Sequence, residues 1–342
     1  MTRQESIIRV LVVDDSGLVR DMIRAILESD SGIVVIGEAS NGAEAIEKVA
    51  ELKPDIVTMD IEMPVMGGLE AIERIIAEHP VPILVVTAQS GVRTAFSAIS
   101  KGALDVIEKP DISLEKVQVL IHKIRYLAKV DVVAHLLAIS DRDKMSGAAA
   151  PKGLPKSGVV AIAASTGGPH AIYKILSDLP AEFPLSILIT QHISEGFTQG
   201  MVDWFNGGTP LTVVMASNGA RLVPGHVYVN PAESSMRISE QGIISLGNHD
   251  SSHIYHPSCN TLLTSVAASY RKGLIGLIMS GMGDDGVEGM KAIKLAGGST
   301  LAQDADSSVV YGMNRLAIER GYIHKVVPLA KLPAELIQRA GI

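Results

Sequence analysis

The sequence has almost no cysteine, few aromatic residues and no long apolar run. Of its 342 residues only Cys259 is a cysteine, so the chain cannot form an internal disulfide, and we expect a reducing compartment, the cytoplasm. No uncharged apolar run approaches the roughly 20 residues that a membrane-spanning helix needs. We therefore expect neither a signal peptide nor insertion into a membrane.

An excess of positive charge is also absent. The 30 Lys and Arg residues nearly balance the 37 Asp and Glu residues, which gives a net charge of -7. A nucleic-acid surface needs clustered Lys and Arg to displace counterions, so we expect no nucleic-acid partner. The length exceeds that of one ordinary core, and 47% of the residues are hydrophobic although only 4% are aromatic. This composition predicts two globular domains with buried strands of Val, Ile and Leu.

In the first 130 residues, five short apolar runs alternate with amphipathic helical stretches. The runs are Ile8–Val13, Ile33–Ile36, Asp55–Met59, Ile83–Val86 and Leu104–Ile107. Strands that alternate with helices imply a parallel sheet with right-handed crossovers. The pattern predicts a flavodoxin-like α/β domain of five parallel strands, with its functional site at the carboxyl ends of the strands.

The alternation is interrupted at residues 131–157, which are rich in Gly, Pro, Ala and Lys and which we interpret as a linker. A second alternating series begins at Val159. Its strand candidates include Val159–Ala163, Leu185–Thr190, Thr212–Met215, His226–Val229 and Leu274–Met279. We therefore predict a domain at 1–130, the linker, and a second, doubly wound α/β domain at 158–342.

Three carboxylates follow strands of the first domain: Asp14 and Asp15 after the first strand and Asp60 after the third. Carboxylates that share one pocket repel each other unless a cation joins them, and hard oxygen ligands suit Mg²⁺. Thr87 ends the fourth strand and Lys109 the fifth, where a hydroxyl and an ammonium can contact phosphoryl oxygens. Each residue alone could be a turn or cap residue. All five together, at one sheet edge, predict a site for Mg²⁺ and a phosphoryl group.

The same region resembles a two-component receiver domain over residues 8 to about 125. The matching segments are Val10–Arg20, Pro54–Gly68, Thr87 and Lys109-Pro110. The resemblance implies that Asp60 accepts a phosphoryl group from the histidine kinase of a chemosensory pathway. Val106 stands where receivers usually carry an aromatic residue.

The resemblance to receivers also implies roles for the other residues of this edge. It implies that Asp15, Asp60 and the carbonyl of Glu62 bind Mg²⁺, and that Asp14 supports the ion through water. It implies that Thr87 and Lys109 sense the phosphoryl oxygens.

A serine lies at a strand-to-helix turn of the second domain. The strand Val159–Ala163 is followed at once by Ala164-Ser165-Thr-Gly-Gly-Pro169, and a helix is predicted from about His170 to Leu179. Glycines allow close backbone approach there, and a helix N-terminus offers free N–H groups to a negative charge. The arrangement suits a nucleophile, although a serine cap in a glycine-rich turn explains this motif equally well.

A histidine and an acid follow two further strands of this domain. Leu185–Thr190 runs into Gln191-His192, and Leu274–Met279 runs into a glycine-rich loop that contains Asp284 and Asp285. An acid can fix the tautomer of a histidine and stabilise its charged form, although an aspartate here could equally be a helix cap. Ser, His and Asp at one sheet edge favour a hydrolase. No Cys pair or His-Glu-x-x-His motif indicates a metal, so we expect no cofactor in this domain.

The second half resembles the catalytic domain of the chemotaxis protein-glutamate methylesterases, the CheB family. The matching segments are Ala164–Pro169, Gln191-His192 through Thr198, Pro224–Tyr228, Pro257-Ser258, Ser280–Gly286 and Ala302–Met313. The resemblance implies a nucleophile, a base and an orienting acid at Ser165, His192 and Asp285. Backbone N–H groups near Thr166 and Met282 are candidates for the oxyanion hole.

By the same resemblance, the substrate is the γ-methyl ester of glutamate on a methyl-accepting chemoreceptor, with deamidation of glutamine at such sites as a second activity. The chain departs from the family at Ser194, Ser235, Cys259-Asn260 and Asn314. These departures leave Ser165, His192 and Asp285 in place. We interpret Cys259, in an apolar helical stretch, as a buried structural thiol and not a nucleophile.

Two other hypotheses remain open from the sequence. One is a receiver coupled to a catalytically inactive receptor-binding module, since the departures from the family lie near the substrate region. The other is a response regulator with a nucleotide- or DNA-binding output. Glycine-rich turns permit a nucleotide, but the acidic balance and the absence of a helix-turn-helix signal oppose DNA.

Overall fold

The computed structural model describes residues 6–88, 91–111, 113–135, 158–248 and 256–342. The chain divides into two compact units, residues 1–136 and 137–342. From residue 136 onward, the predicted linker lies outside the described residues. In the parts of the chain that are described, no helix is both long enough and apolar enough to cross a bilayer.

The first unit is built on one parallel sheet. Its strands, in chain order, are β1 (Ile8–Val13), β2 (Ile33–Ala39), β3 (Ile56–Met59), β4 (Ile83–Thr87) and β5 (Asp105–Glu108). They lie side by side in the order β2-β1-β3-β4-β5, and each pairing is parallel. This is the flavodoxin-like order, so the predicted five-stranded fold is confirmed.

One amphipathic helix follows each of these strands. They are α1 (Gly17–Glu28), α2 (Gly42–Leu52), α3 (Gly68–Glu78), α4 (Val92–Ser100) and α5 (Leu114–Leu127). The helix α1 buries Ile23, Ile26 and Leu27, which follow the helical repeat. Every residue of β3 and β4 is buried, as expected for central strands of a parallel sheet. Because all five strands run in the same direction, their carboxyl ends lie at one edge of the sheet.

A larger parallel sheet forms the second unit. Its strands are β6 (Val159–Ala164), β7 (Ser186–Gln191), β8 (Thr212–Met215), β9 (His226–Val229), β12 (Leu274–Ile278), β13 (Ser299–Gln303) and β14 (Lys325–Val327). Their order is β14-β13-β12-β6-β7-β9-β8, and every pairing is parallel. The chain therefore winds outward from β6 in both directions, and the predicted doubly wound α/β class is confirmed.

Within the described residues, the second unit also contains a hairpin, six α-helices and two short 3-10 helices, Arg271–Gly273 and Leu329–Lys331. The hairpin pairs β10 (Ser235–Ile238) with β11 (Ile244–Gly247). The helices are α6 (Gly168–Asp178), α7 (Thr198–Gly208), α8 (Cys259–Tyr270), α9 (Val287–Leu295), α10 (Met313–Glu319) and α11 (Leu332–Ala340). The helix α8 packs against the hairpin through a shared apolar core that includes Met236, Ile238 and Leu262.

Several predicted boundaries were wrong by one to three residues. The strand β2 extends to Ala39 because its ladder to β1 continues past an irregularity at Val10 and Leu11. Lys109 follows β5 and does not end it, and Gln191 is the last residue of β7. The predictions did not name β10, β11, β13 and β14, which are strands of only three to five residues.

Candidate functional site

At the carboxyl edge of the first sheet, three carboxylates converge. Asp14 follows β1 and Asp60 follows β3, which is the neighbouring strand. One oxygen from each of Asp14, Asp15 and Asp60 lies within 4.8 Å of the other two. Asp14 and Asp60 are buried, whereas Asp15 is exposed. This set of hard oxygen ligands, two of them in a buried setting, fits Mg²⁺.

Lys109 forms ion pairs with two of these carboxylates. Its Nζ lies 2.7 Å from Oδ2 of Asp14 and 2.8 Å from Oδ2 of Asp60. Burial raises the pKa of the Asp14 carboxyl above its usual value, although the Lys109 ammonium opposes that rise. Burial acts to lower the pKa of Lys109, but the hydrogen bonds to both acids outweigh it and the pKa lies above the usual value. Lys109 is therefore a charged partner for any anion bound at this edge.

Thr87 completes the edge at the end of β4. Its side chain is buried, and a Cβ built on Gly91 would lie 2.5 Å from its Oγ1. A side chain at position 91 would therefore displace the Thr87 hydroxyl. Glu62 is exposed next to this edge, and Val106 is buried in β5, where it pairs with Val85.

In the second unit, Ser165 occupies the turn between β6 and α6. The N–H of Ser165 donates to the carbonyl of Ser280 at 3.0 Å, and the N–H of Gly168 donates to the Ser165 carbonyl at 2.7 Å. Gly167, the third residue of this four-residue turn, has φ 78°. A type II turn needs a positive φ at that place, which glycine adopts without strain. The Gly-Gly sequence therefore fixes Ser165 at the head of a tight turn.

His192 and Asp285 form a hydrogen-bonded pair beside this turn. The Nε2 atom of His192 lies 2.9 Å from Oδ2 of Asp285. His192 follows β7, and its N–H donates to the carbonyl of Ala164, which precedes Ser165. Asp285 is buried, whereas the adjacent Asp284 is exposed. The structure therefore places the three predicted residues on loops that follow three neighbouring strands, β7, β6 and β12.

The N-terminus of α8 holds the Asp285 carboxylate. The N–H groups of Cys259 and Asn260 donate to its two oxygens at 2.6 and 2.8 Å, and the Ser258 hydroxyl lies 3.3 Å from Oδ1. Burial acts to raise the pKa of Asp285, but the hydrogen bonds from His192 and from these N–H groups outweigh it and hold the pKa below its usual value. The predictions missed this support, for which the only sequence signal was the Pro257-Ser258 start of a helix.

Cys259 lies closer to this site than the predictions assumed. Its Sγ is 3.5 Å from Nε2 of His192, and the thiol is fully buried. Burial, together with the charge of Asp285, raises the pKa of the thiol well above its usual value. His192, Cys259 and Asp285 could each offer one ligand atom to a metal, within 4.8 Å of one another, but the His192–Asp285 hydrogen bond already joins two of these atoms. The raised pKa opposes a nucleophilic role for Cys259.

Two loops enclose Ser165. The Ser280 hydroxyl donates to the carbonyl of Thr166 at 2.7 Å, which joins the loop after β12 to the loop after β6. A Cβ built on Gly281 would lie 2.6 Å from Cβ of Ser165, so only glycine allows this approach. Thr166 and Met282 are both buried. The two predicted oxyanion positions therefore flank the serine, one on each loop.

Comparison with known proteins gives a match for each unit. The CheB methylesterase family matches residues 160–336, and the response regulator receiver domain matches residues 10–122. A protein-glutamate methylesterase/protein-glutamine glutaminase of Paramagnetospirillum magneticum is 44% identical over 98% of this chain and 96% of its own length. A protein of the same name from Myxococcus xanthus is 37% identical over 96% of both chains.

The matches among solved structures include a methylesterase catalytic domain. The CheB methylesterase catalytic domain of Thermotoga maritima is 34% identical, with a TM-score of 0.52 over 53% of this chain and 98% of that domain. Along the chain, the receiver match precedes the methylesterase match. The chain belongs to the CheB family of methylesterases, hydrolases of chemotaxis that carry a response regulator receiver domain.

Proposed function

We propose that this protein hydrolyses γ-methyl esters of glutamate on methyl-accepting chemoreceptors, and that phosphorylation of Asp60 raises this activity. The hydrogen-bonded pair His192–Asp285, on loops beside the Ser165 turn, is the observation that carries the proposal. The domains we assign are a receiver at 1–130, a linker at 131–157 and the esterase at 158–342. The proposed location is the cytoplasm, where the protein would meet both the methylated helices of the receptor and the histidine kinase.

The proposed chemistry uses the two nitrogens of His192 differently. Because Nε2 is bonded to Asp285, Nδ1 is the atom that would take the proton of Ser165 as the hydroxyl oxygen attacks the ester carbonyl. The N–H groups of Thr166 and Met282 would stabilise the oxyanion of the tetrahedral intermediate. His192 then returns the proton to the leaving oxygen, and methanol departs.

The resulting acyl-enzyme is cleaved by water. His192 takes a proton from the water, the hydroxide attacks the acyl carbon, and the bond to Ser165 breaks as the proton returns to its oxygen. The product is a glutamate side chain. With a glutamine side chain as substrate, the same steps release ammonia in place of methanol, which is the proposed second activity.

At the receiver edge, an oxygen of Asp60 would attack the phosphorus of a kinase phosphohistidine, and the imidazole would leave. When bound, Mg²⁺ neutralises charge on the phosphoryl group. Asp15, Asp60 and the carbonyl of Glu62 would hold it, with Asp14 supporting it through water. Lys109, already 2.8 Å from Asp60, and Thr87 would contact the phosphoryl oxygens.

The alternative, a receiver on an inactive receptor-binding module, is tested with a small activated ester. The full-length protein should hydrolyse p-nitrophenyl acetate faster than its Ser165→Ala variant by several orders of magnitude. Both proteins should melt at the same temperature, since the serine side chain lies at a turn. Equal rates in two folded proteins would reject the enzyme and support the inactive module.

A further inference from the structure

The side-chain amide of Gln191 lies between the residues proposed as nucleophile and base. Its Nε2 donates one hydrogen bond to the main-chain carbonyl of Ser165 and one to that of His192, both at 2.8 Å. The residue is buried at the end of β7. Both donors of this amide therefore act on the backbone of the two residues whose relative position matters most for the proposed reaction.

The other end of the same amide is not satisfied. Oε1 of Gln191 is buried and has no hydrogen-bond partner among the described residues. It faces Gly168, where an added Cβ would lie only 2.0 Å from it. A buried acceptor without a donor is costly, and a methionine would fill similar space without that cost. Packing therefore does not explain an amide here, whereas the two donated hydrogen bonds do.

The bond to Ser165 also acts on the next residue. The carbonyl of Ser165 and the N–H of Thr166 belong to one peptide group, which is planar and trans, so they point in opposite directions. Gln191 Nε2 and the N–H of Gly168 both donate to that carbonyl, at 2.8 and 2.7 Å. These two bonds fix the direction of the Thr166 N–H, one of the two proposed oxyanion donors.

We propose that Gln191 is a positioning residue of the esterase, which sets the Thr166 N–H and the backbone of His192 in their catalytic orientation. This inference rests on the proposed hydrolysis at Ser165. A donor aimed at the developing oxyanion stabilises the transition state more than the bound ester. Loss of the Gln191 amide should therefore lower kcat and leave KM nearly unchanged.

The test uses the full-length protein and its Gln191→Met variant. Measurements are kcat and KM for p-nitrophenyl acetate, and the rate at which a fluorophosphonate labels Ser165. We expect kcat and the labelling rate to fall by at least about tenfold, with KM within about threefold. The matched control is Asn206→Ala, which removes a different amide whose two hydrogen bonds hold Val213 on the edge strand β8. That control should keep the wild-type kcat.

A second variant covers the case in which Gln191→Met does not fold. Gln191→Leu likewise lacks both donated hydrogen bonds at similar side-chain volume, with the same expected fall in kcat. Wild-type kcat in either folded variant, or a raised KM with unchanged kcat, would overturn the inference. If the wild-type protein hydrolyses the ester and Ser165→Ala does not, such a result rejects only the role of Gln191. If the wild-type protein is itself inactive, the proposed function and this inference both fail.

Discussion

Nε2 of His192 lies 2.9 Å from Oδ2 of Asp285, although the two residues are 93 positions apart in the chain. The pair joins the loop after β7 to the loop after β12, on either side of the strand that carries Ser165. The adjacent acid, Asp284, has the same chemistry but is exposed. This contrast makes Asp284 a natural control for the role of Asp285.

Asp285→Asn should lower kcat for ester hydrolysis by about 10²–10⁴, because an amide cannot hold the same tautomer of His192 or stabilise its charged form. Asp284→Asn should change kcat by less than about threefold. Both rates are measured at one pH on the full-length protein, with melting temperatures to confirm folding. A larger loss in Asp284→Asn would show that the orienting acid is misassigned.

Cys259 should contribute its backbone and not its thiol. Cys259→Val keeps the N–H that donates to Asp285 at 2.6 Å, so kcat should stay within about threefold of wild type. Cys259→Pro removes that N–H at the first position of α8, where a helix tolerates proline, so kcat should fall by about tenfold or more. The comparison is made by steady-state ester hydrolysis. A loss of activity in Cys259→Val as large as that in Cys259→Pro would assign the thiol, which both variants lack, a catalytic role.

Val65 is strained beside the receiver edge. Its φ is 67°, in the left-handed region that a β-branched residue rarely adopts, and the residue is 89% exposed. Val65→Asn should stabilise the first unit by about 1 kcal/mol, because asparagine tolerates this conformation. Val34→Asn, at an exposed position of the strand β2, should instead destabilise it. Urea unfolding measures the free energy of unfolding of both variants. A Val65→Asn variant that is less stable than wild type would show that the backbone at Val65 is not strained.

Asp60→Asn should abolish stimulation by a small phosphodonor and keep the basal esterase rate. The amide cannot accept the phosphoryl group, and no residue of the first sheet edge takes part in the proposed ester chemistry. Esterase rates are compared with and without acetyl phosphate and Mg²⁺, and phosphate incorporation is assayed by its lability to hydroxylamine. Hydroxylamine-labile phosphate on Asp60→Asn at the wild-type level would place the acceptor elsewhere.

The sequence predicts the features that strand direction determines. Asp14, Asp60 and Lys109 each come directly after a strand, so a parallel sheet brings them to one edge whatever the details of packing. The same reasoning applies to Ser165 and His192. Asp285, seven residues beyond the end of β12, was predicted only from its glycine-rich loop and the family resemblance.

Contacts between distant segments were not predictable in the same way. The support of Asp285 by the N-terminus of α8 depends on where a helix 25 residues away in the sequence packs. The two hydrogen bonds of Gln191 depend on the rotamer of one buried side chain against Gly168. Neither has a periodic signature in the sequence, because both arise from tertiary packing.

The most direct test of the proposed ester hydrolysis is the release of labelled methanol from membranes that carry methylated chemoreceptors. Full-length protein, Ser165→Ala and a no-enzyme control are compared with and without acetyl phosphate and Mg²⁺. We expect release by the wild-type protein, faster release with the phosphodonor, and release by Ser165→Ala no greater than that without enzyme. Equal release by the wild-type protein and a folded Ser165→Ala variant would contradict the proposed hydrolysis.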